Sequence, residues 1–81
     1  MHLEIITPDQ KVFNGEVNGA NFPGTDGLFE ILNNHAPMIS TLGKGKIKIY
    51  GAGEEKNIMI DGGIVEVLNN NIIVLAEAVI A

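Results

Sequence analysis

The sequence predicts an all-β fold, a flattened β-sandwich or barrel of about eight to ten short, mostly antiparallel strands. Apolar and polar residues alternate at a period of two in several short runs, most clearly from Lys46 to Tyr50. Ten glycines and three prolines divide the 81 residues into short pieces. No window carries apolar residues at helical spacing over any length. Together these observations favour many short strands joined by tight turns.

The predicted strands are runs of apolar or alternating residues bounded by Gly, Pro, Asn or Asp. In chain order they comprise residues 3–5, 12–17, 18–22, 28–32, 39–42, 46–50, 58–60, 64–67 and 72–76. The last run is apolar at every position. It is therefore expected to be buried on both faces and to lie centrally between sheets.

The connections between these runs contain residues that favour turns. Pro8-Asp9 and Thr25-Asp26-Gly27 predict two hairpin reversals. Residues 51–56 predict a polar turn, and Gly43-Lys44-Gly45 predicts a glycine-rich one. Asn69-Asn70-Asn71 is expected to turn through left-handed backbone conformations, which asparagine tolerates. Each hairpin places its two strands side by side.

A proline also predicts a change of direction after the fourth run. Ala36 precedes Pro37, and a residue before proline is pushed towards an extended conformation. We therefore expect the chain to turn a corner after Asn34 instead of entering a helix.

Length and composition limit the possible function. A domain of this size buries only about 60% of its unfolded surface, so we expect a single domain spanning residues 1–81 with a thin core and no deep cleft. The chain has no cysteine, which excludes disulfides and thiolate metal sites. No apolar run approaches the ~20 residues that span a bilayer, and no leader is recognisable. We expect a soluble, unexported protein.

The charge balance argues against nucleic acid as a partner. Ten acidic residues stand against five lysines and no arginine, whereas nucleic-acid binding needs a basic surface. Lys44, Lys46 and Lys48 form one small basic strip. It is best interpreted as a solvated strand face or a guarded sheet edge, with an acidic partner surface as the alternative.

No residue pattern predicts catalysis, a metal site or a cofactor site. His2 and His35 are the only histidines, and neither has a predicted nucleophile beside it. His35, Asp26 and Glu30 have no recognisable ligand spacing. Glu54-Glu55 is a solvated pair in a polar turn. Gly62-Gly63 follows Asp61 without a helix behind it, so it predicts a bulge or a close backbone approach, not a phosphate loop.

One stretch carries a family pattern, Pro-Gly-x-x-Gly-x-x-x-Ile-x-x-x-His-Ala-Pro, from Pro23 to Pro37. This stretch resembles the hallmark segment of the epsilon subunit of F-type ATP synthase. Further likenesses to strands of that family lie along the whole chain, at residues 5–8, 12–17, 62–67 and 74–76. The order of several motifs over all 81 residues makes the resemblance specific. It implies the N-terminal β-sandwich domain of that subunit.

The resemblance implies a rotor subunit that performs no chemistry of its own. Family members sit at the foot of the central stalk of the ATP synthase, bind the gamma subunit and touch the polar loops of the c ring, and thereby couple ion-driven rotation to ATP synthesis. It implies no cofactor. It also implies a peripheral position on the cytoplasmic face of the bacterial inner membrane, with membrane association only through the complex.

Two candidate contact sites follow from the resemblance by position. The loop expected to face the c ring comprises Thr25, Asp26, Gly27, Leu28 and Glu30. The corner expected to face gamma comprises His35, Ala36, Pro37 and Met38. The sequence departs from many relatives at Leu28, where they carry an acidic residue, so Asp26 and Glu30 are left to supply negative charge to a basic ring loop.

The family continues into two C-terminal helices, whereas this sequence ends at Ala81. The inhibitory and nucleotide-sensing roles of those helices are therefore not carried over to these residues. The apolar ending Val79-Ile80-Ala81 is expected to pack onto the sandwich, onto gamma or onto another copy.

Two other functions are alternatives for a small acidic β domain. A lipoyl- or biotinyl-type carrier is also a small acidic β-barrel, with a modified lysine at a hairpin tip. Lys44 and Lys56 are the only lysines in predicted turns, and neither has the flanking residues of such carriers. A small sugar- or nucleotide-binding β module is disfavoured by the few aromatic residues.

Overall fold

The computed structural model describes residues 1–51 and 54–80. Within them the chain forms β-strands and no helix, so none of this part could cross a membrane as a helix. The strands are β1 (His2–Ile6), β2 (Lys11–Glu16), β3 (Gly19–Gly24), β4 (Gly27–Leu32), β5 (Met38–Leu42), β6 (Gly45–Tyr50), β7 (Glu55–Ile60), β8 (Gly63–Leu68), β9 (Asn71–Ala76) and β10 (Val79–Ile80).

The strands form one curled sheet that folds into two layers. The hydrogen-bonded order is β10-β7-β6-β3-β5-β8-β9-β1-β2, with β4 on the other side of β3. The link between β3 and β5 is a single residue pair, Gly24 with Leu42. We call the part β4-β3-β6-β7-β10 layer 1 and the part β5-β8-β9-β1-β2 layer 2. Among the described strands, only β1 and β9 run parallel. The prediction of a β-sandwich of short, mostly antiparallel strands is confirmed.

Pro23 lies in β3 between the residues that pair with β6 and the residue that pairs with β5. Residues 19–21 pair with β6, whereas Gly24 pairs with Leu42 of β5. Across the second pair, the amide of Gly43 donates to the carbonyl of Pro23 (2.8 Å) and the amide of Thr25 donates to that of Thr41 (3.2 Å). Proline has no N–H to donate, and at this position the pairing requires only its carbonyl. A proline is therefore tolerated inside the sheet.

The core lies between the layers and is almost wholly aliphatic. Alternate residues of β1, β6, β8 and β9 point inward, as the period of two requires. The largest fully buried side chain, Phe22, stacks on Phe29 with ring centroids 5.6 Å apart. The fully buried residues of largest volume are Phe22, Leu3, Ile5, Ile31, Ile47, Ile49, Ile60, Ile72, Val65, Val67 and Val74.

The expectation that residues 72–76 are buried on both faces is wrong. Strand β9 lies between β8 and β1 within layer 2, and its buried and exposed residues alternate. Ile73 and Leu75 point away from the core and are 39% and 53% exposed. An apolar run alone cannot report which of its residues face solvent. The register with neighbouring strands decides that.

The predicted polar turn at residues 51–56 is too long. Strand β7 begins at Glu55, so Glu55 and Lys56 are strand residues paired with Tyr50 and Ile49. The amide of Gly51 donates to the carbonyl of Glu54 (3.0 Å). Residues 52 and 53 lie outside the described residues.

Positive backbone φ angles fall at the predicted turns. Asn69 and Asn70 have φ of 51° and 62°, and Asn34, where the corner was expected, has φ of 63°. Gly63 makes the predicted close backbone approach, because a Cβ there would lie 2.3 Å from the carbonyl oxygen of Leu75. No larger residue fits beside β9 at this position.

The end of the chain adds a short strand to layer 1. Val79 and Ile80 form β10 and pair with Ile60 and Met59 of β7. Of the three expected positions for the apolar ending, the structure therefore shows the one on the sandwich for these two residues. Residue 81 lies outside the described residues.

Candidate interaction surfaces

The loop predicted to face the c ring forms the tip of the β3–β4 hairpin. Thr25 and Asp26 make a two-residue turn closed by the pair Gly24 and Gly27, and Gly27 has the positive φ (130°) that this reversal uses. The hydroxyl groups of Thr25 and Thr41 lie 2.9 Å apart and brace the tip against β5. Beyond the turn, Leu28 is 75% exposed. The tip therefore presents one carboxylate and one apolar side chain to solvent.

Glu30 is not part of this tip. It lies four residues beyond Asp26, about 13 Å along an extended strand. Its carboxylate accepts a hydrogen bond from the Tyr50 hydroxyl (2.8 Å), on the outer face of layer 1. This hydrogen bond is the main cause of a raised pKa for Tyr50, to which desolvation and the charges of Glu30 and Glu55 add. The two acidic residues expected to act together are thus separated.

The corner predicted to face gamma lies at the opposite end of β4. His35, Ala36 and Pro37 are exposed, and Met38 is half-buried as the first residue of β5. Nδ1 of His35 lies 2.7 Å from the carbonyl oxygen of Ala36, a local contact that draws the ring onto the corner. The hairpin tip and the corner are therefore separated by the length of one strand.

Asparagine side chains and the chain's amino terminus fix the entry to this corner. The amide of Asn34 donates to Oδ1 of Asn70 (2.8 Å), and the terminal amine of Met1 donates to Oδ1 of Asn33 (3.0 Å). The first bond joins the end of β4 to the β8–β9 turn, and the second joins it to the amino terminus. The corner consequently has a defined shape, although its residues make little apolar contact of their own.

An exposed apolar surface lies next to the corner. The apolar composition predicts that such a surface remains for partners, but it does not predict this position. On the outer face of layer 2, Ile39 opposes Glu66, which opposes Ile73, and the adjacent row places Ile64 opposite Leu75. Ile39 is 66% exposed. A groove of about 160 Å³ runs between these five side chains. We call Ile39, Ile64, Ile73 and Leu75 the outer apolar face.

A signal for this face was present in the sequence. Glu66 must point to solvent in a strand of alternating residues, and so must Ile64 and Leu68 on the same side. A strand paired with this one shares its two faces, and therefore carries an outward set of its own. What the sequence lacks is the register that puts Ile73 opposite Glu66.

The remaining candidate residues do not assemble into a reactive site. Within residues 1–51 and 54–80 no group of three or more His, Asp or Glu side chains could hold a metal ion. Nδ1 of His2 lies 3.0 Å from Oε2 of Glu16, whereas Nδ1 of His35 contacts the carbonyl of Ala36, so the two histidines have different partners. Lys44 lies exposed in the β5–β6 turn. Lys56 is a strand residue, not the turn residue predicted, and its Nζ lies 5.6 Å from the centroid of the Phe13 ring.

Comparisons with known proteins point in one direction. The family described as ATP synthase, Delta/Epsilon chain, beta-sandwich domain matches residues 1–81. The ATP synthase epsilon chain of Leptospira borgpetersenii is 38% identical over 77 residues, which cover 95% of this chain and 61% of that protein. The epsilon chain of Chlorobium limicola is 41% identical over 78 residues, covering 95% and 89%.

A solved structure shows the same fold. A chain of the Euglena gracilis mitochondrial ATP synthase, in a structure of its OSCP, F1 and c-ring parts, superposes with a TM-score of 0.89 at 17% identity. The match covers 96% of this chain and 51% of that one. Several curated relatives are longer than this chain, which spans 53–61% of their length.

Proposed function

This chain belongs to the ATP synthase delta/epsilon chain β-sandwich family, and from that premise we propose that it is a non-catalytic subunit of the central stalk. In this role it binds the gamma subunit and the polar loops of the c ring, and it couples ion-driven rotation of the ring to ATP synthesis. It requires no cofactor. Its location is the cytoplasmic face of the bacterial inner membrane, where it is peripheral and held through the complex.

The observation that carries this proposal is the outer apolar face. Four isoleucine and leucine side chains stand exposed on layer 2, where a monomeric protein gains nothing from them. Ile39 follows directly after Met38, so the face is continuous with the corner that runs from His35 to Met38. A stable contact buries on the order of 800 Å² per partner, which would need the face and the corner together. We assign this combined surface to gamma.

The hairpin tip is the surface proposed for the c ring. It lies at the other end of β4 from the corner, so one strand separates the two contacts. Asp26 offers the tip's negative charge to a basic ring loop, and Leu28 offers an apolar contact. Since Glu30 is held by Tyr50, we assign it no direct ring contact.

The two-layer architecture suits the transmission of torque. Each layer is cross-linked by main-chain hydrogen bonds, and the layers share an interlocked aliphatic core. A load applied at the hairpin tip therefore reaches the outer apolar face without a hinge. We propose that the chain acts as a rigid wedge between ring and gamma.

Charge reversal at the tip tests the function. Membranes whose ATP synthase lacks its epsilon subunit should regain ATP synthesis when this chain is added. With Asp26→Lys the rate of ATP synthesis at the same ion gradient should be several-fold lower, because the new lysine faces a basic ring loop and like charges repel. Thermal unfolding of the variant should match that of the wild type, since Asp26 is exposed. Unchanged synthesis with unchanged assembly would contradict the role of the tip.

A further inference from the structure

We propose that the free edge of β4 is a docking site for an extended strand of a partner polypeptide, which joins layer 1 through main-chain hydrogen bonds. This goes beyond the proposed function, which assigns side-chain surfaces to gamma and to the c ring but no main-chain pairing with a partner. It also gives β4 a role along its whole length, between the tip and the corner.

Three strands of the described sheet have a partner on one side only: β2, β4 and β10. Strand β5 is also open along most of one side, because it joins β3 through the single pair Gly24 and Leu42. Free edges invite unwanted pairing, and proteins usually protect them by shortness, by bulges or by lysine. Strand β10 has only two residues. Strand β2 faces a register shift at Ile5/Ile6 and carries Lys11. Strand β4 has six residues, regular register, no proline and no lysine.

The register shows which groups face the free edge. The two-residue turn makes Gly24 and Gly27 a hydrogen-bonded pair, and such pairs alternate with non-hydrogen-bonded ones along an antiparallel ladder. Phe29 and Ile31 therefore bond to β3. Leu28, Glu30 and Leu32 direct their N–H and C=O groups away from β3. Within the described sheet β4 pairs with β3 alone, and no main-chain hydrogen bond of the described turns and loops uses these outward groups.

The side chains at these positions leave the edge open. Leu28 and Leu32 lie on the outer face and are highly exposed. Glu30 could guard the edge with its charge, yet its carboxylate leans across β3 to the Tyr50 hydroxyl on β6, away from the edge. The edge thus offers three N–H and three C=O groups flanked by two leucines.

Charge selects the occupant. A second copy pairing about a two-fold axis at Glu30 would place two Glu30 carboxylates opposite each other, which is destabilising. A partner strand with a lysine or arginine between two apolar residues would instead match the leucine, glutamate, leucine order of the edge. Its long basic side chain can reach the carboxylate on the same face. We therefore infer a heterologous strand of apolar, basic, apolar pattern.

Amide exchange gives a specific signature of strand addition. In the free chain, the amides of Phe29 and Ile31 should exchange slowly, and those of Leu28, Glu30 and Leu32 should exchange fast. The labelled chain is assembled with purified gamma subunit and c ring, exchanged in the complex, and read residue by residue by NMR after quenching. The three fast amides should slow by at least tenfold. A complex in which they stay fast would overturn the proposal and leave the proposed function standing.

A matched pair of variants tests the edge directly. Glu30→Pro removes one outward N–H without breaking a bond to β3, whereas Glu30→Thr keeps the N–H and removes the same charge. Proline should weaken assembly at least tenfold more than threonine does. Equal effects would count against main-chain pairing. Should proline unfold the domain, the exchange measurement on the wild type still decides.

The test also separates this proposal from the proposed function. If neither gamma nor c ring binds the wild-type chain, the proposed function fails. A synthetic extended peptide with Val-Lys-Val at its centre then serves as probe. Slowing of the three amides by the peptide supports the edge proposal, and unchanged exchange overturns it. Dimerisation of the chain through β4 in sedimentation experiments would overturn it as well.

Discussion

Among single residues, Tyr50 and Glu30 form the clearest contact that the sequence could not reveal. The two residues are 20 positions apart and meet diagonally across β3, where Gly19 is opposite Tyr50 on one side and Asn21 is opposite Glu30 on the other. Predicting the contact requires the order β4-β3-β6 and both registers. Turn residues behave differently, since a positive φ selects Asn or Gly locally. For that reason the turns at Asn69-Asn70 and at Gly27 could be predicted from the residues at those positions alone.

The Tyr50–Glu30 hydrogen bond should be visible in a spectroscopic titration. The chain has one tyrosine and no tryptophan, so phenolate absorbance reports Tyr50 alone. The hydrogen bond and the nearby carboxylates favour the neutral phenol, so its pKa should lie above the ordinary value of 10.0. Glu30→Ala should lower this pKa. Glu66→Ala, on the other layer, should leave it unchanged.

The same linkage fixes the sign of the pH dependence. A pKa raised on folding stabilises the protonated form, so the contribution to stability is fully present below pH 10.0 and is lost as the pH rises through the folded-state pKa. Equal tyrosine titrations in the wild type and Glu30→Ala would show that the hydrogen bond does not form in solution.

Gly63 should be irreplaceable for steric reasons. An added Cβ would lie 2.3 Å from the carbonyl oxygen of Leu75, which is backbone and cannot step aside. Gly63→Ala should therefore lower the free energy of unfolding by about 1–3 kcal/mol, the range for a strained backbone position. Gly43→Ala is the control, since the nearest atoms there are 4.0 Å away. Urea denaturation of both variants measures the difference, and equal stabilities would refute the close approach.

Among whole strands, existence was easier to predict than burial. Hairpins β1–β2 and β3–β4 follow from turn residues and alternation, both of which are local. Strand β9 shows the limit, because an all-apolar run gives no sign of its outward face. Its pairing with β8 is a local hairpin, but its parallel pairing with β1 and the pairing of β8 with β5 join residues far apart in sequence. The position of the outer apolar face was missed for this reason.

Two neighbouring isoleucines in β9 test the corrected burial. Ile72 is fully buried and Ile73 is 39% exposed. Ile73→Lys should change the free energy of unfolding by about 0.5 kcal/mol or less, as surface substitutions do. Ile72→Lys should prevent folding or destabilise the domain severely, because it buries an unpaired charge. Circular dichroism during thermal unfolding distinguishes the two, and similar losses would mean that both faces are buried.

For the molecule as a whole, alternation and glycine content predicted the sandwich, and an ordered set of motifs predicted the family. The relative placement of the two proposed contact regions required the structure. It shows that the hairpin tip and the corner lie at opposite ends of β4, that Glu30 belongs to neither, and that an apolar face extends from the corner across layer 2. This arrangement favours a rigid domain that binds two neighbouring subunits at separate surfaces.

Copurification of gamma provides the decisive measurement. The tagged chain is expressed in cells whose ATP synthase lacks its epsilon subunit, and bound proteins are identified after mild solubilisation of the membranes. Gamma should copurify with the wild type and with Met59→Lys, whose side chain is as exposed as Ile73 but belongs to layer 1. Gamma should be lost with Ile73→Lys. Recovery of the wild-type chain without gamma, or equal recovery of gamma with all three, would contradict docking on the outer apolar face.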